Sequence, residues 1–169
     1  ESIRAAASEL GADHPAAQEF QLNLAHHRWA RGEPRAALEI AERVLSLRRA
    51  SYPGEHTALI APLVAVGRMK SEFRDHAEAL KLLREAALLF RRAYGPAPQR
   101  SNVPLAELAA ALRRAGAVEE AERILRELLA ETEKRSGRVS PDHLSILVSL
   151  GVLEEGRGRF ENAHARFQD

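Results

Sequence analysis

The chain has 169 residues, of which 45% are hydrophobic and 5% aromatic, and its formal net charge is +1. This apolar content is enough to bury a core, and it argues against a disordered chain. The balanced charge excludes a global field that would recruit nucleic acid or an anionic membrane. Because there is no cysteine, disulfides, thiolate metal sites and a cysteine nucleophile are excluded.

Residues 1–11 carry Ile3 and Leu10 in an alanine-rich stretch that stops at Gly11, and they are predicted to be the end of a truncated repeat. No apolar run approaches the roughly 18 to 20 residues of a membrane helix. The sequence opens with Glu1 and shows no signal peptide, and a native targeting segment can lie outside it. Arginine far outnumbers lysine, which fits a GC-rich genome as well as a functional role. We expect a cytoplasmic, bacterial protein.

Helical patterns separated by glycine and proline follow in pairs, and no stretch alternates with period two long enough to predict a strand. The clearest stop is Tyr94-Gly95-Pro96-Ala97-Pro98, since proline cannot continue the hydrogen-bond ladder of a helix, and Gly32-Glu33-Pro34 ends one helix and starts the next. The predicted helices run from about Pro15 to Arg31, Arg35 to Ala50, His56 to Ser71, His76 to Ala93, Ser101 to Ala115, Val118 to Arg135 and Ser140 to Gly156, with a last one starting at Phe160.

The pattern repeats every 42 residues. Alanine recurs at one position of the repeat, in Ala37, Ala79, Ala121 and Ala163, and the residue five before it is Gly32, Arg74, Gly116 and Gly158. Thirteen residues before each alanine stands a large apolar residue followed by a small one: Leu24-Ala25, Val66-Gly67, Leu108-Ala109 and Leu150-Gly151. These positions predict two helices that approach closely through small side chains, where a larger residue would overpack the interface. Internal periodicity in this range is typical of a solenoid.

An apolar residue followed by a small one, then a turn glycine and then Ala-x-x-x-apolar, resembles the tetratricopeptide repeat, and the spacing resembles its longer kinesin-light-chain type. The resemblance implies an all-α, right-handed α-solenoid of about four antiparallel helix-turn-helix repeats. It implies one array: 1–11 the end of a truncated repeat, 12–53, 54–95 and 96–137 full repeats, and 138–169 a fourth, truncated repeat. Two departures stand out: Arg28, Lys70 and Glu154 occupy a usually aromatic position, and Arg74 replaces the turn glycine.

The resemblance also implies that the first helix of each pair lines a concave groove that holds a peptide or helix. Carried over position by position, that surface includes Asn23, His26, Trp29, Ser71, Arg68, Arg113 and Arg114. Asn23 has no asparagine counterpart in the other repeats, so an asparagine ladder is not expected. One hypothesis is an acidic peptide lying on Arg68, Arg113 and Arg114 with Trp29 as an apolar anchor, since tryptophan and arginine are common hot spots. The alternative is that the arginines are solvated surface and that Trp29 packs between repeats.

Enzyme chemistry is not indicated. His26-His27 lacks the spacing of metal ligands, and His14, His56 and His143, near helix starts, are expected to be surface or capping residues. We therefore expect no catalytic activity and no cofactor.

The predicted function is a non-catalytic protein-interaction scaffold for a protein or peptide, with nucleic acid and membrane not expected as partners. A rival hypothesis is a regulatory segment of a larger signalling enzyme, a kinase or ATPase, that contacts its own domains. A nucleic-acid-binding solenoid is a second rival, and end-to-end self-association of the chain is a third.

Overall fold

The computed structural model describes residues 14–95, 102–138 and 140–156, and all regular structure in these ranges is helical. This confirms the all-α prediction for those ranges. The helices are α1 (Pro15–Ala30), α2 (Pro34–Ser51), α3 (Ile60–Glu72), α4 (His76–Tyr94), α5 (Val103–Arg114), α6 (Val118–Ser136) and α7 (Pro141–Gly156), and a 3-10 turn at Thr57–Leu59 precedes α3. Residues 1–11 and the helix expected from Phe160 lie outside the described residues.

Histidine caps start two of the helical segments. The His14 Nδ1 accepts a hydrogen bond from the Ala16 amide at 3.2 Å, and the His56 Nδ1 accepts one from the Ala58 amide at 3.1 Å. Each satisfies an amide that the first helical turn leaves without a partner. The expectation of surface or capping histidines is therefore confirmed at these two positions. It is wrong for His143, which is buried in the first turn of α7 because it follows Pro141 on the side that packs inward.

The first helix of each described pair ends in the same way, with a residue in the left-handed region. Gly32 and Gly116 have φ angles of +78° and +82°, and Arg74 takes the same conformation at +63°. In each turn the residue after the left-handed one donates its amide to the carbonyl of the residue five positions before the donor, which is the Schellman pattern. These bonds are Glu33 N to Arg28 O at 3.0 Å, Asp75 N to Lys70 O at 3.0 Å and Ala117 N to Leu112 O at 2.9 Å. The turn position is thus conformationally equivalent in all three repeats, whether or not glycine occupies it.

The residues at the two ends of this backbone bond also form side-chain ion pairs in the two repeats where a charged residue replaces the usual aromatic one. Arg28 pairs with Glu33 at 2.6 Å, and Lys70 with Asp75 at 3.7 Å. The third repeat instead has Leu112 at the first position, fully buried. Ion pairs in two repeats therefore occupy the place of the apolar contact that normally closes a Schellman turn. Lys70 also bonds Glu42 of α2 at 2.9 Å, and this hydrogen bond raises the pKa of Lys70.

Replacing Arg74 by glycine is expected to raise the free energy of unfolding by about 0.5 to 1 kcal/mol. A side chain in the left-handed region costs about 1 to 2 kcal/mol, and part of the gain is lost to the greater freedom of glycine in the unfolded chain. Gly116→Ala should have the opposite effect of similar size, because no atom lies within 4 Å of the added Cβ and only the backbone conformation opposes it. Urea unfolding of both variants measures these changes; a loss of stability in Arg74→Gly would contradict the strain.

The small residues of the repeat lie where paired helices meet. Ala37, Ala79 and Ala121 are completely buried, which confirms the predicted role of this position. At Gly67 of α3 an added Cβ would come within 2.6 Å of the Leu83 Cγ of α4. Val66, Leu108 and Leu150 are buried, Leu24 is half-buried, and Ala163 lies outside the described residues.

The chain divides into two compact units, Glu1–Leu89 and Phe90–Asp169. In the first, α1, α2 and α3 enclose a core that includes Leu22, Leu45, Leu63 and Met69. In the second, α6 packs against both α5 and α7, and its buried face carries Leu125 and Leu128.

One buried arginine ties three segments of the first unit together. Arg48 of α2 is 8% exposed, and its guanidinium bonds Gln18 Oε1 at 3.3 Å, Glu19 Oε2 at 2.9 Å and the Ala58 carbonyl at 2.9 Å. Gln18 and Glu19 belong to α1, and Ala58 belongs to the turn that leads into α3. The arginine therefore satisfies polar groups of successive repeats at the point where the chain passes from one to the next.

Candidate functional site

The predicted site residues of the first unit all lie on its first helices, but they differ in accessibility. Asn23 and His26 are exposed on α1, whereas Trp29 of α1 and Arg68 of α3 are half-buried. Ser71 is only 1% exposed, so it is not available to a ligand. The burial of Ser71 follows from its place on the inner side of the last turn of α3.

Trp29 packs within the first unit. Its ring meets that of Phe73 edge to face, with centroids 6.0 Å apart, and it also contacts the buried core cluster. Phe73 follows α3 and is 42% exposed. The predicted packing of Trp29 between repeats is thus present, and the half-exposed indole and Phe73 together leave an aromatic surface beside the ends of α1 and α3.

His26 lies close enough to Arg68 for the two to interact electrostatically. Partial desolvation lowers the pKa of His26, and the Arg68 guanidinium lowers it further, against a smaller opposing effect of Glu19. At neutral pH the imidazole is therefore uncharged, and Arg68 supplies the positive charge here. Arg68 already has a polar or electrostatic contact of its own, so a ligand would share it.

The second unit carries the other two predicted arginines at the end of α5. Arg113 is exposed and forms no ion pair with any residue of the described ranges, whereas Arg114 is half-buried and already engaged. Many arginines elsewhere in these ranges are held by carboxylates, such as Arg49 by Glu85 at 2.6 Å and Arg135 by Asp142 at 2.6 Å. Arg113 is therefore the predicted arginine most available to an acidic group.

Arg113 stands at one end of a groove between α5 and α7. Two cavities of about 130 and 170 Å³ follow one another along it and share Ala106. We call this the α5–α7 groove. Its floor is α6, through Leu125, Leu128 and Thr132, and its walls include Val103, Ala106, Ala110, Val148 and Val152. Val103, Val148 and Val152 are 48%, 49% and 40% exposed. The groove is thus an apolar channel with a cation at one end.

The other end of the α5–α7 groove is polar. Asn102, Glu107, Asp142 and Ser145 line the cavity there. Asn102 is 7% exposed; its amide nitrogen donates to Glu131 at 3.3 Å, and its Oδ1 has no hydrogen-bond partner. Sequence reasoning missed this residue, because asparagine at the position before a helix is ordinarily interpreted as a cap.

The described ranges offer no cluster of three or more metal-binding side chains. Nor does a helix of these ranges combine the length and apolarity needed to cross a membrane.

Comparison with known families identifies the repeat. Tetratricopeptide-repeat models match residues 17–92 and 105–145, which together make up more than half of the chain. The chain belongs to the tetratricopeptide repeat family. This confirms the resemblance drawn from the 42-residue period, and repeats of this family mediate protein–protein interactions, typically without catalysis. No curated protein matched the sequence.

Solved structures show that this tetratricopeptide repeat chain has the fold of kinesin-light-chain-like proteins. A P. anserina protein assigned as a kinesin light chain, with nearly identical TPR-like repeats, matches with a TM-score of 0.76 and 23% identity over 98% of this chain and 79% of its own. A single-substitution variant of the same protein matches with a TM-score of 0.79 and 23% identity over 98% of this chain and 78% of its own. BtubC from P. vanneervenii matches with a TM-score of 0.76 and 21% identity over 90% of this chain and 61% of its own. The repeat boundaries, the cytoplasmic location and the bacterial source stay predictions.

Proposed function

We propose that the chain is a non-catalytic interaction scaffold that binds an acidic peptide or helical segment of a partner protein through the faces of its first helices. The observation that carries this proposal is Arg113, exposed and without an ion pair in the described ranges, at the end of the apolar α5–α7 groove. An apolar channel beside an available guanidinium suits a ligand that combines apolar side chains with a carboxylate. Repeats of this family mediate protein interactions, which supports the assignment at the general level.

In the first unit, Arg68 and Trp29 are the corresponding candidates. Arg68 supplies positive charge beside an uncharged His26, and the half-exposed Trp29 offers an apolar contact next to Phe73. Because Arg68 is already engaged, its share in binding should be smaller than that of Arg113. A preformed surface of this kind lowers the ordering cost of binding on the receptor side.

Charge reversal tests the proposal with a fluorescent peptide of alternating glutamate and leucine. Arg113→Glu should weaken binding about three- to tenfold and Arg68→Glu less, since each replaces attraction of a carboxylate by repulsion. Binding should also weaken as salt increases.

The matched control is Arg43→Glu. Arg43 is exposed on α2, a second helix, and glutamate occurs at the same position of the next two repeats, in Glu85 and Glu127. Helicity of all variants is verified by circular dichroism. Equal weakening by Arg43→Glu, or equal binding of a lysine and leucine peptide, would contradict a specific acidic site. Complete absence of peptide binding would favour a regulatory segment that contacts its own parent enzyme.

A further inference from the structure

The α5–α7 groove has two chemically different ends, and this difference limits what it can hold. Arg113, at the carboxyl end of α5, offers a cation. Asn102, at the amino end, lines the cavity and has a buried Oδ1 without a hydrogen-bond partner, and Glu107 and Asp142 line the same cavity. Between them the lining is apolar, with Ala106, Ala110, Val148 and Val152.

The unpartnered Oδ1 of Asn102 is what distinguishes this end from an ordinary polar rim. The side chain is more than nine-tenths buried and lines the cavity, while its amide nitrogen is held by Glu131, which also bonds Arg91. The amide is therefore fixed with its oxygen as the unused group. A buried acceptor without a donor is destabilising, so a ligand that brings a donor to it gains binding energy.

We infer that the α5–α7 groove holds an extended peptide segment that is bipolar, with a basic or other hydrogen-bond-donating side chain at Asn102, apolar side chains between, and a carboxylate at Arg113. This inference rests on the proposed function and narrows it to a ligand pattern. Charge complementarity favours this occupant over a uniformly acidic segment, which would place a carboxylate near Glu107, whereas Asp142 is already paired with Arg135.

The helix supplies the spacing of the two ends. Asn102 and Arg113 are separated by eleven positions of one helical segment, which corresponds to about 17 Å at 1.5 Å per residue. An extended peptide advances about 3.3 Å per residue. The donor and the carboxylate of the ligand should therefore lie about five residues apart, with apolar residues between them.

Selection from a displayed library of random short peptides tests this pattern. On the wild-type chain we expect enrichment of peptides with a basic residue and an acidic residue about five positions apart, flanking apolar residues. On Arg113→Glu the acidic position should change to lysine or arginine. On Asn102→Leu the basic position should lose its preference while the acidic one remains. An apolar residue occurs at the same position of the preceding repeat, in Ile60 at the first residue of α3, and so is compatible with the helix start.

A synthetic peptide of the selected pattern then gives the affinity. We expect Arg113→Glu to weaken it about tenfold or more and Asn102→Leu about three- to tenfold, with unchanged helicity. Enriched peptides that carry acidic residues but no basic preference would overturn the bipolar pattern and leave the proposed acidic-peptide function intact. If Arg68→Glu changes which peptides are enriched and neither groove variant does, the α5–α7 groove is not the site, and peptide binding by the first unit is supported instead. Failure to enrich any peptide would overturn both.

Discussion

Replacing Ala121 by leucine is expected to lower the free energy of unfolding by about 3 kcal/mol. Ala121 is completely buried in the first turns of α6, at the repeat position that alanine also fills in the two preceding pairs. Three further carbons in a packed interface force helices apart or side chains out of their rotamers, which costs about 1 to 3 kcal/mol and sometimes more. Urea unfolding followed by circular dichroism gives the change.

Ala130→Leu is the matched control, because Ala130 lies on the same helix and is exposed. It adds the same side chain at a similar helix propensity and should change stability by less than about 0.5 kcal/mol. Equal effects of the two substitutions would show that the alanine position is not a close contact and would contradict the packing of the repeat.

Replacing Arg48 by phenylalanine is expected to cost about 2 to 3 kcal/mol, although phenylalanine occurs at the same position of the next repeat, in Phe90. The change removes the donors that satisfy the buried Gln18 Oε1 and the Ala58 carbonyl, and each buried acceptor left without a donor costs about 1 to 3 kcal/mol. Glu19 is 59% exposed and can return to water.

The next repeat also carries isoleucine where the first has glutamine, in Ile60 against Gln18. The double variant Arg48→Phe/Gln18→Ile should therefore recover at least about 1 kcal/mol relative to the sum of the two single changes, because it removes donor and acceptor together. Arg49→Ala is the control: Arg49 is exposed and paired with Glu85, and its loss should cost well under 1 kcal/mol. Additive single changes would contradict the coupling of Arg48 to Gln18.

The repeat, its helices and its close contacts could be predicted because they depend on residue size and local conformation. Ala37, Ala79 and Ala121 recur at one position because only a small side chain fits between the paired helices, and such a constraint is visible as periodicity. The turn position was predictable too. Arg74 shows the limit of this prediction, because the turn keeps its left-handed conformation there, with φ +63°, although the sequence has no glycine at this position.

The polar contacts could not be predicted, because they differ from repeat to repeat. Arg48 with Gln18 has no polar counterpart at Phe90 and Ile60, so periodicity gives no indication of the pair. Asn102 resembles a helix cap in the sequence, and only the position of Glu131 shows that its amide turns away from the helix. The exposure of Arg113 likewise depends on which carboxylates lie nearby. The candidate site could thus be predicted as a set of positions but not as a set of available groups.

Chemical-shift mapping tests most directly whether ligands bind to the first helices of the repeats. The isotopically labelled chain is titrated with the glutamate and leucine peptide, and the amide shifts of each helix are followed. We expect the largest shifts on α5 and α7 along the groove, at Ala106, Ala110, Val148 and Val152, and at Arg113. Shifts confined to the exposed faces of α2, α4 and α6 would contradict it, because the partner surface would then lie on the second helices.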